Sequence, residues 1–184
     1  MNMMTRTLTV GLVASLVGAF AVADDAPQSI KTGALTFKAP AAWKKEQPKS
    51  AMRAAQIKIE PVKGDEEPAE LVVFAFPNGA GSVESNIERW EKQFVDASKR
   101  TPKAKVEQKK GMNVDVTRVE ISGQYLSGMP GAASKAEKPN YRLLGAIITT
   151  PSTGYFFKLT GPDKTVGDAT KGFDSLIESM KLDK

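Results

Sequence analysis

The side chains available for chemistry in this 184-residue chain are carboxylates, lysines, tyrosines and hydroxyls, because it contains neither cysteine nor histidine. Thiolate nucleophiles, thiolate metal ligands and disulfides are therefore excluded. So are a Ser-His-Asp triad and any imidazole zinc site. No residue pattern calls for a cofactor.

The glycine-rich segment Asn78-Gly79-Ala80-Gly81-Ser82 joins an apolar run to a helical pattern. Free backbone N–H groups at such a junction bind anions. The segment lacks the lysine of a P-loop and the G-x-G-x-x-G spacing of a dinucleotide fold. A sharp turn leading into a helix capped by Ser82 is the favoured reading. Asp65, Glu66, Glu67 and Glu70 are acidic enough to suggest calcium, but they do not have the alternating spacing of a calcium loop, so a solvated acidic loop is expected. Lys99, Arg100, Lys103, Lys105, Lys109 and Lys110 form a basic cluster interrupted by Glu107. They are expected to line a solvated strand edge, where lysines discourage edge-to-edge pairing.

Residues 124–139 offer the main surface candidates: Tyr125, Gly128, Met129 and Gly131. An aromatic ring and an adaptable thioether suit a partner-binding loop. Together with Gly79, Gly81 and Ser82 they make up the expected partner-binding residues. Trp90 falls on an apolar stripe and is assigned to the core, and Trp43 is expected at a sheet edge.

Residues 1–23 have the form of a secretory signal peptide. Arg6 precedes the apolar stretch Leu8–Phe20, and Ala21-Val22-Ala23 fits the small-x-small cleavage rule. The stretch is shorter than the roughly 20 residues a spanning helix needs. Cleavage after Ala23 and a periplasmic or secreted location are expected, with no stable membrane insertion afterwards. Lys+Arg number 26 against Asp+Glu 21, a net charge of +5, and the signs are interspersed. Nucleic-acid binders concentrate basic residues on a recognisable motif, so no nucleic-acid partner is expected.

Behind the candidate residues stand short strands and two amphipathic helices. Residues 24–33 are polar and predict a flexible leader, and 34–184 a single domain. Leu35–Pro40 and Arg53–Glu60 alternate as strands. Leu71–Phe76 and Leu143–Ile148 are continuous apolar runs, as in central strands covered on both faces. Val83, Ile87, Trp90 and Phe94 recur at helical spacing, which predicts a helix ending near Ser98, with Glu88 and Lys92 as an exposed i,i+4 pair. Ala104–Gln108 and Val114–Ser122 form a hairpin whose second arm changes phase, through a bulge or through burial on both faces. Residues 127–139 predict a long loop, and Tyr155–Thr160 a short final strand. A last helix runs from Asp163, its apolar face formed by Val166, Ala169, Phe173, Leu176, Ile177 and Met180, with Gly172 weakening it by about 1 kcal/mol. Hairpin-length links imply an antiparallel sheet. The expected fold is α+β: an α/β/α sandwich with a central, mainly antiparallel sheet and two covering helices.

The segments Thr36–Trp43, Glu70–Phe94 and Phe173–Lys181 resemble the photosystem II extrinsic subunit PsbP and its bacterial relatives, whose fold is shared with a Ran-binding nuclear transport factor. Met52–Ile59, Glu70–Phe94, Tyr125–Gly131 and Gly154–Val166 also resemble an uncharacterised family of exported bacterial proteins. Several of those relatives carry a lipobox cysteine, which this chain lacks. The resemblance implies a PsbP-like fold and a non-catalytic accessory or binding role, here as a monomer engaging an envelope protein or small ligand. Two other readings stay open. One is a hydrolase of an envelope polymer built on a carboxylate pair about 5–10 Å apart. The other is a carrier with an apolar cavity of about 300 Å³ or more.

Overall fold

The computed structural model describes residues 26–79, 81–128 and 136–183. The expected signal peptide, Ala80, Met129 and Gly131 lie outside these residues. The chain runs through β1 (Gln28–Thr32), β2 (Leu35–Ala39), β3 (Lys44–Glu46), β4 (Arg53–Ile59), β5 (Ala69–Pro77), α1 (Val83–Glu91), β6 (Phe94–Val95) and β7 (Lys105–Lys110). It continues through β8 (Asp115–Ser127), β9 (Ala136–Thr149), β10 (Thr153–Pro162), α2 (Asp163–Asp168), α3 (Thr170–Glu178) and β11 (Lys181–Leu182). The main sheet has the order β3-β4-β5-β10-β9-β8-β6, with β7 paired to another stretch of β8, and β1-β2-β11 form a smaller sheet. Every pairing is antiparallel. The fold is an α+β sandwich, as the alternation and link lengths require.

The two apolar runs lie where full burial demands, β5 and β9 flanking β10 in the middle of the sheet. Strand geometry sends successive side chains to opposite faces. Leu71, Val73, Leu144, Ala146 and Ile148 enter the core under α2, α3 and the small sheet. Leu143 and Ile147 enter the second core beneath Trp90 of α1. The phase change in β8 has the same origin: Val116 joins the first core, Val119 and Ile121 the second. It is burial on both faces, and the register shift comes later, between Gly123 and Tyr125.

The structure corrects the expected boundaries at several places. Residues 28–32 of the expected leader form β1, with Ile30 and Thr32 buried against the small sheet. Helix α1 stops at Glu91, and Phe94 belongs to β6, where it pairs with Tyr125. Phe94 is fully buried, so the helical spacing could not tell a fourth turn from a strand. Residues 127–139 are not one long loop, because β8 continues to Ser127 and β9 begins at Ala136. Tyr155–Thr160 is neither short nor terminal: it is the heart of β10. The last helix is two segments, α2 and α3, whose apolar residues all pack into the first core. Gly172 is more than a weak helix former, because a Cβ there would stand 2.9 Å from Pro40 Cγ and 3.0 Å from Trp43 Cζ2. Trp43 itself is buried in the first core.

Candidate functional site

Strands β8 and β9 pair from Thr117↔Ile147 to Ser127↔Ala136, whereas β10 pairs with β9 only as far as Pro162↔Tyr141. The β8–β9 ribbon therefore runs past the end of β10, braced by β6 at Gln124 and Tyr125 and two-stranded only beyond them. Pro139 is tolerated there because the strand has no partner on its other side. The bulge beside Gly123 sits where the ribbon leaves the sheet. The ribbon is held by its base: Leu126 N donates to Gln93 O at 2.8 Å, and Lys99 Nζ reaches Gln124 Oε1 at 2.8 Å and Glu137 Oε2 at 2.9 Å.

At this base the aromatic rings converge. Tyr125 stacks on Tyr141 with centroids 5.7 Å apart and meets Phe94 at 5.2 Å. The Tyr141 hydroxyl donates to Glu67 Oε2 at 2.6 Å, and Lys138 pairs with the same carboxylate. Lys138 Nζ also lies 5.5 Å from the Tyr141 ring centroid, within cation–π range. The Lys138 and Tyr141 hydrogen bonds hold the Glu67 carboxyl below its usual range. Burial raises both tyrosine hydroxyls, more than any neighbouring charge does.

Lys158 of β10 projects toward this cluster on the α1 face. Its Nζ donates to Gln93 Oε1 at 2.5 Å and to Tyr125 Oη at 3.3 Å, and lies 5.2 Å from the Tyr125 ring centroid. Parts of the side chain touch solvent, yet protein surrounds the ammonium. Burial, together with repulsion from Arg53, pulls its pKa from 10.5 to about 8 against the attraction of Glu70. Glu70 accepts instead from Lys49 Nζ at 2.9 Å and Arg53 Nη1 at 3.1 Å.

The expected site residues do not form one site. The turn follows Pro77, which pairs with Thr153, while Tyr141 pairs with Pro162. The turn and Tyr125 thus lie at opposite ends of β10, about 30 Å apart at about 3.3 Å per residue. At the turn, Gly79 N donates to Phe76 O at 3.1 Å, Ser82 Oγ accepts from Ser85 N at 3.1 Å, and Ser82 O accepts from Asn86 N at 3.2 Å. These groups are spent on the turn and the cap. Gly128 closes the described part of the ribbon.

The charged clusters are likewise occupied. Lys99 pairs with Glu137, Arg100 with Asp96, Lys103 with Glu91, Lys105 and Lys109 with Glu107, and Lys110 with Asp115. The acidic loop disperses: Asp65 Oδ2 accepts from Thr165 N at 2.9 Å and Oγ1 at 2.7 Å, Glu67 serves Tyr141, and Glu70 serves β4. Among the described residues no group of three or more carboxylates is placed to hold a metal ion. An open groove of about 600 Å³ lies beside the ribbon base, lined by Asp65, Asp96, Asn140, Tyr141, Asp163 and Lys164 among others. Val95, Ala97 and Pro139 also line it, so the lining is mixed, and it is an open groove rather than the enclosed apolar cavity a carrier uses. Its aspartates are engaged by Thr165, by the Ser98 and Arg100 amides, and by Arg142.

Sequence reading missed Lys158, Lys138, Tyr141 and Gln93. The signal for Lys158 was present: a lone lysine inside a central strand, sharing a face with Phe156.

No family model and no curated protein matches the sequence. Among solved structures, the chain is similar to cyanobacterial PsbP (CyanoP) from Synechocystis sp. PCC 6803, with a TM-score of 0.53 and 15% identity, covering 91% of this chain and 99% of that one. A protein from Bacteroides thetaiotaomicron VPI-5482 aligns with a TM-score of 0.44 and 12% identity, over 82% of this chain and 46% of the other. The fold is PsbP-like.

Proposed function

We propose that this protein is an exported, non-catalytic binding or assembly module that engages an envelope partner through the β8–β9 ribbon and its base. The observation that carries this reading is the overhang. Past Tyr141 the two strands run beyond β10, with β6 still bracing Gln124 and Tyr125 and only Leu126–Ser127 and Ala136–Glu137 left as a two-stranded tip, next to an open groove. The half-exposed Gln124, Ser127 and Lys138 sit on a ribbon stiffened from behind by the Tyr125–Tyr141 stack, and a pre-ordered surface lowers the entropic cost of a partner contact. The site supplies no histidine, no cysteine and no group of carboxylates set aside for catalysis, so binding is the chemistry it suits best. The signal-peptide pattern of residues 1–23, with cleavage after Ala23, supplies the export. The likeness to an uncharacterised family of exported bacterial proteins, and the accessory roles that a PsbP-like fold implies, point the same way. No helix among the described residues is long and apolar enough to cross a membrane.

The test is site-specific photocrosslinking in the native host. A crosslinker at Gln124 or Ser127 on the ribbon is expected to give one discrete adduct. A crosslinker at Ser175 of α3 is expected to give none of that mass. The same adducts from both positions, or none from the ribbon, would sink the proposal.

A further inference from the structure

Lys158 carries a charge that nothing nearby neutralises directly. Among the described residues no carboxylate lies within ion-pair distance of its Nζ, and its bonded partners are the neutral Gln93 Oε1 and Tyr125 Oη. An ammonium has three donors, so one is left over. Glu70, the carboxylate that attracts Lys158, lies across from Thr160 on β5, but Lys49 and Arg53 hold it. Charged groups are rarely left buried without a counter-ion, because the desolvation is costly.

Beside Lys158 stands a second unspent group. Thr160 lies two residues further along β10, hence on the same face. Its hydroxyl is buried and has no hydrogen-bond partner among the described residues. Buried polar atoms are nearly always paired, by protein or by something bound. The surroundings are otherwise apolar: Val72 and Gly145 pair with Lys158 on either side, and Phe156 precedes it on its face. Trp90 closes over Gly145.

We infer that Lys158 and Thr160 form a binding site for a small monocarboxylate with an apolar body, held by the spare ammonium donor and the Thr160 hydroxyl. Gln93, on the short link after α1, covers the ammonium, and the incoming carboxylate replaces its amide oxygen. The Tyr125 ring, 5.2 Å from the ammonium, flanks the apolar part. One cation and one hydroxyl match the charge and two-point geometry of a carboxylate. A phosphate dianion would bring a second charge and further oxygens that the apolar surroundings leave without partners.

The site needs no protein partner and is tested on purified protein, so its failure leaves the ribbon reading untouched. Protein carrying lysines labelled with ¹³C at Cε is titrated from pH 6 to 10 with and without benzoate, and Lys158→Met assigns the resonance. Bound benzoate is expected to raise the Lys158 midpoint above about 8. A midpoint higher by about one pH unit corresponds to about tenfold tighter binding to the charged form. Benzoate affinity is expected to vanish in Lys158→Met and to fall about tenfold in Thr160→Val, the loss of one charge-assisted hydrogen bond. Inorganic phosphate is expected to leave the resonance unmoved. An unmoved midpoint in saturating benzoate, full affinity in Lys158→Met, or an equal response to phosphate overturns the assignment.

Discussion

Trp90 lies against the backbone of Gly145 so closely that a Cβ at that glycine would stand 2.3 Å from Trp90 Cζ3 and 3.0 Å from Cε3. This contact seats α1 on the sheet and fixes how far the helix can cover the β10 face. Gly145→Ala is therefore expected to lift or tilt the indole and to cost about 1–3 kcal/mol, the usual range for overpacking. Urea unfolding monitored by tryptophan fluorescence reads it. Gly167→Ala serves as the comparison, since a Cβ there meets only the far end of Arg142, at 3.8 Å. Equal stability in the two variants would remove the seating role.

The same contact shows what the residues alone could and could not disclose. Trp90 was legible as core from its place on the helical stripe, because amphipathic spacing needs only local sequence. Its partner was not, because Gly145 sits inside an apolar run and only the β9–β10 register brings it under the ring. The central strands were legible for the same local reason: Leu71–Phe76 of β5 and Leu143–Ile148 of β9 are unbroken apolar runs. The helix end was not, since Phe94 is buried whether it continues the stripe or starts β6. Asp96 held a usable turn signal, because its Oδ1 accepts from Ser98 N at 2.8 Å and Arg100 N at 2.9 Å. Tyr125 was legible as a site residue by type. Its neighbours Lys158, Tyr141 and Glu67 come from three other segments, and only the fold joins them.

Lys158 gives the stability of the protein a pH dependence of known sign. Its folded pKa of about 8 lies below the ordinary 10.5. Between those values the unfolded chain holds a proton that the folded chain has released, so stability rises with pH across the window. A tenfold difference in proton affinity between the two states corresponds to about 1.4 kcal/mol, which bounds the effect near 3 kcal/mol. Lys158→Met is expected to flatten the rise and to be at least as stable as wild type at pH 7, despite losing hydrogen bonds worth about 1 kcal/mol each. Tyr125 and Tyr141, whose values are raised, contribute the opposite slope once tyrosines of the unfolded chain ionise near pH 10. Urea midpoints from pH 7 to about 9.5 isolate the lysine. A flat wild-type profile there contradicts the buried charge.

Glu67 sets a second, acidic dependence with the reverse logic. Its carboxyl is held below the usual 4.5 by Lys138 first and Tyr141 second. The stabilisation it provides is complete above that value and is lost as pH falls through the lower folded pKa. Glu67 is more than half exposed, at 53% of its side-chain surface, so solvent screens the pair and the effect is small. Glu67→Gln is expected to lower the urea midpoint slightly at pH 7, with the difference from wild type shrinking as the pH falls. It should also release Lys138 and the Tyr141 hydroxyl, increasing amide exchange in the ribbon base. A variant that is weaker at pH 3 than at pH 7, relative to wild type, would reverse this reading.

The largest single electrostatic loss is expected at Arg118, on the opposite face of the sheet. Its side chain is only 5% exposed, donates from Nε to Asp174 Oδ1 at 2.8 Å and pairs through Nη1 with Glu120 Oε2 at 3.1 Å. Glu120 in turn meets Arg142 at 3.4 Å, and Arg142 donates to Asp163 Oδ1 at 2.8 Å. The chain of ions ties α3 and α2 to β8 and β9. Removing Arg118 leaves Asp174 unmatched and Glu120 with Arg142 alone, and because these carboxylates are 34% and 24% exposed the cost is expected below the roughly 3–5 kcal/mol of a fully buried pair. Arg118→Ala is therefore expected to lower the thermal midpoint. The triple variant Arg118→Met, Asp174→Leu, Glu120→Gln, which removes the charges together, should recover most of the loss. Thermal unfolding of the two proteins separates the cases, and a single variant no worse than the triple would show that the network bears little of the stability.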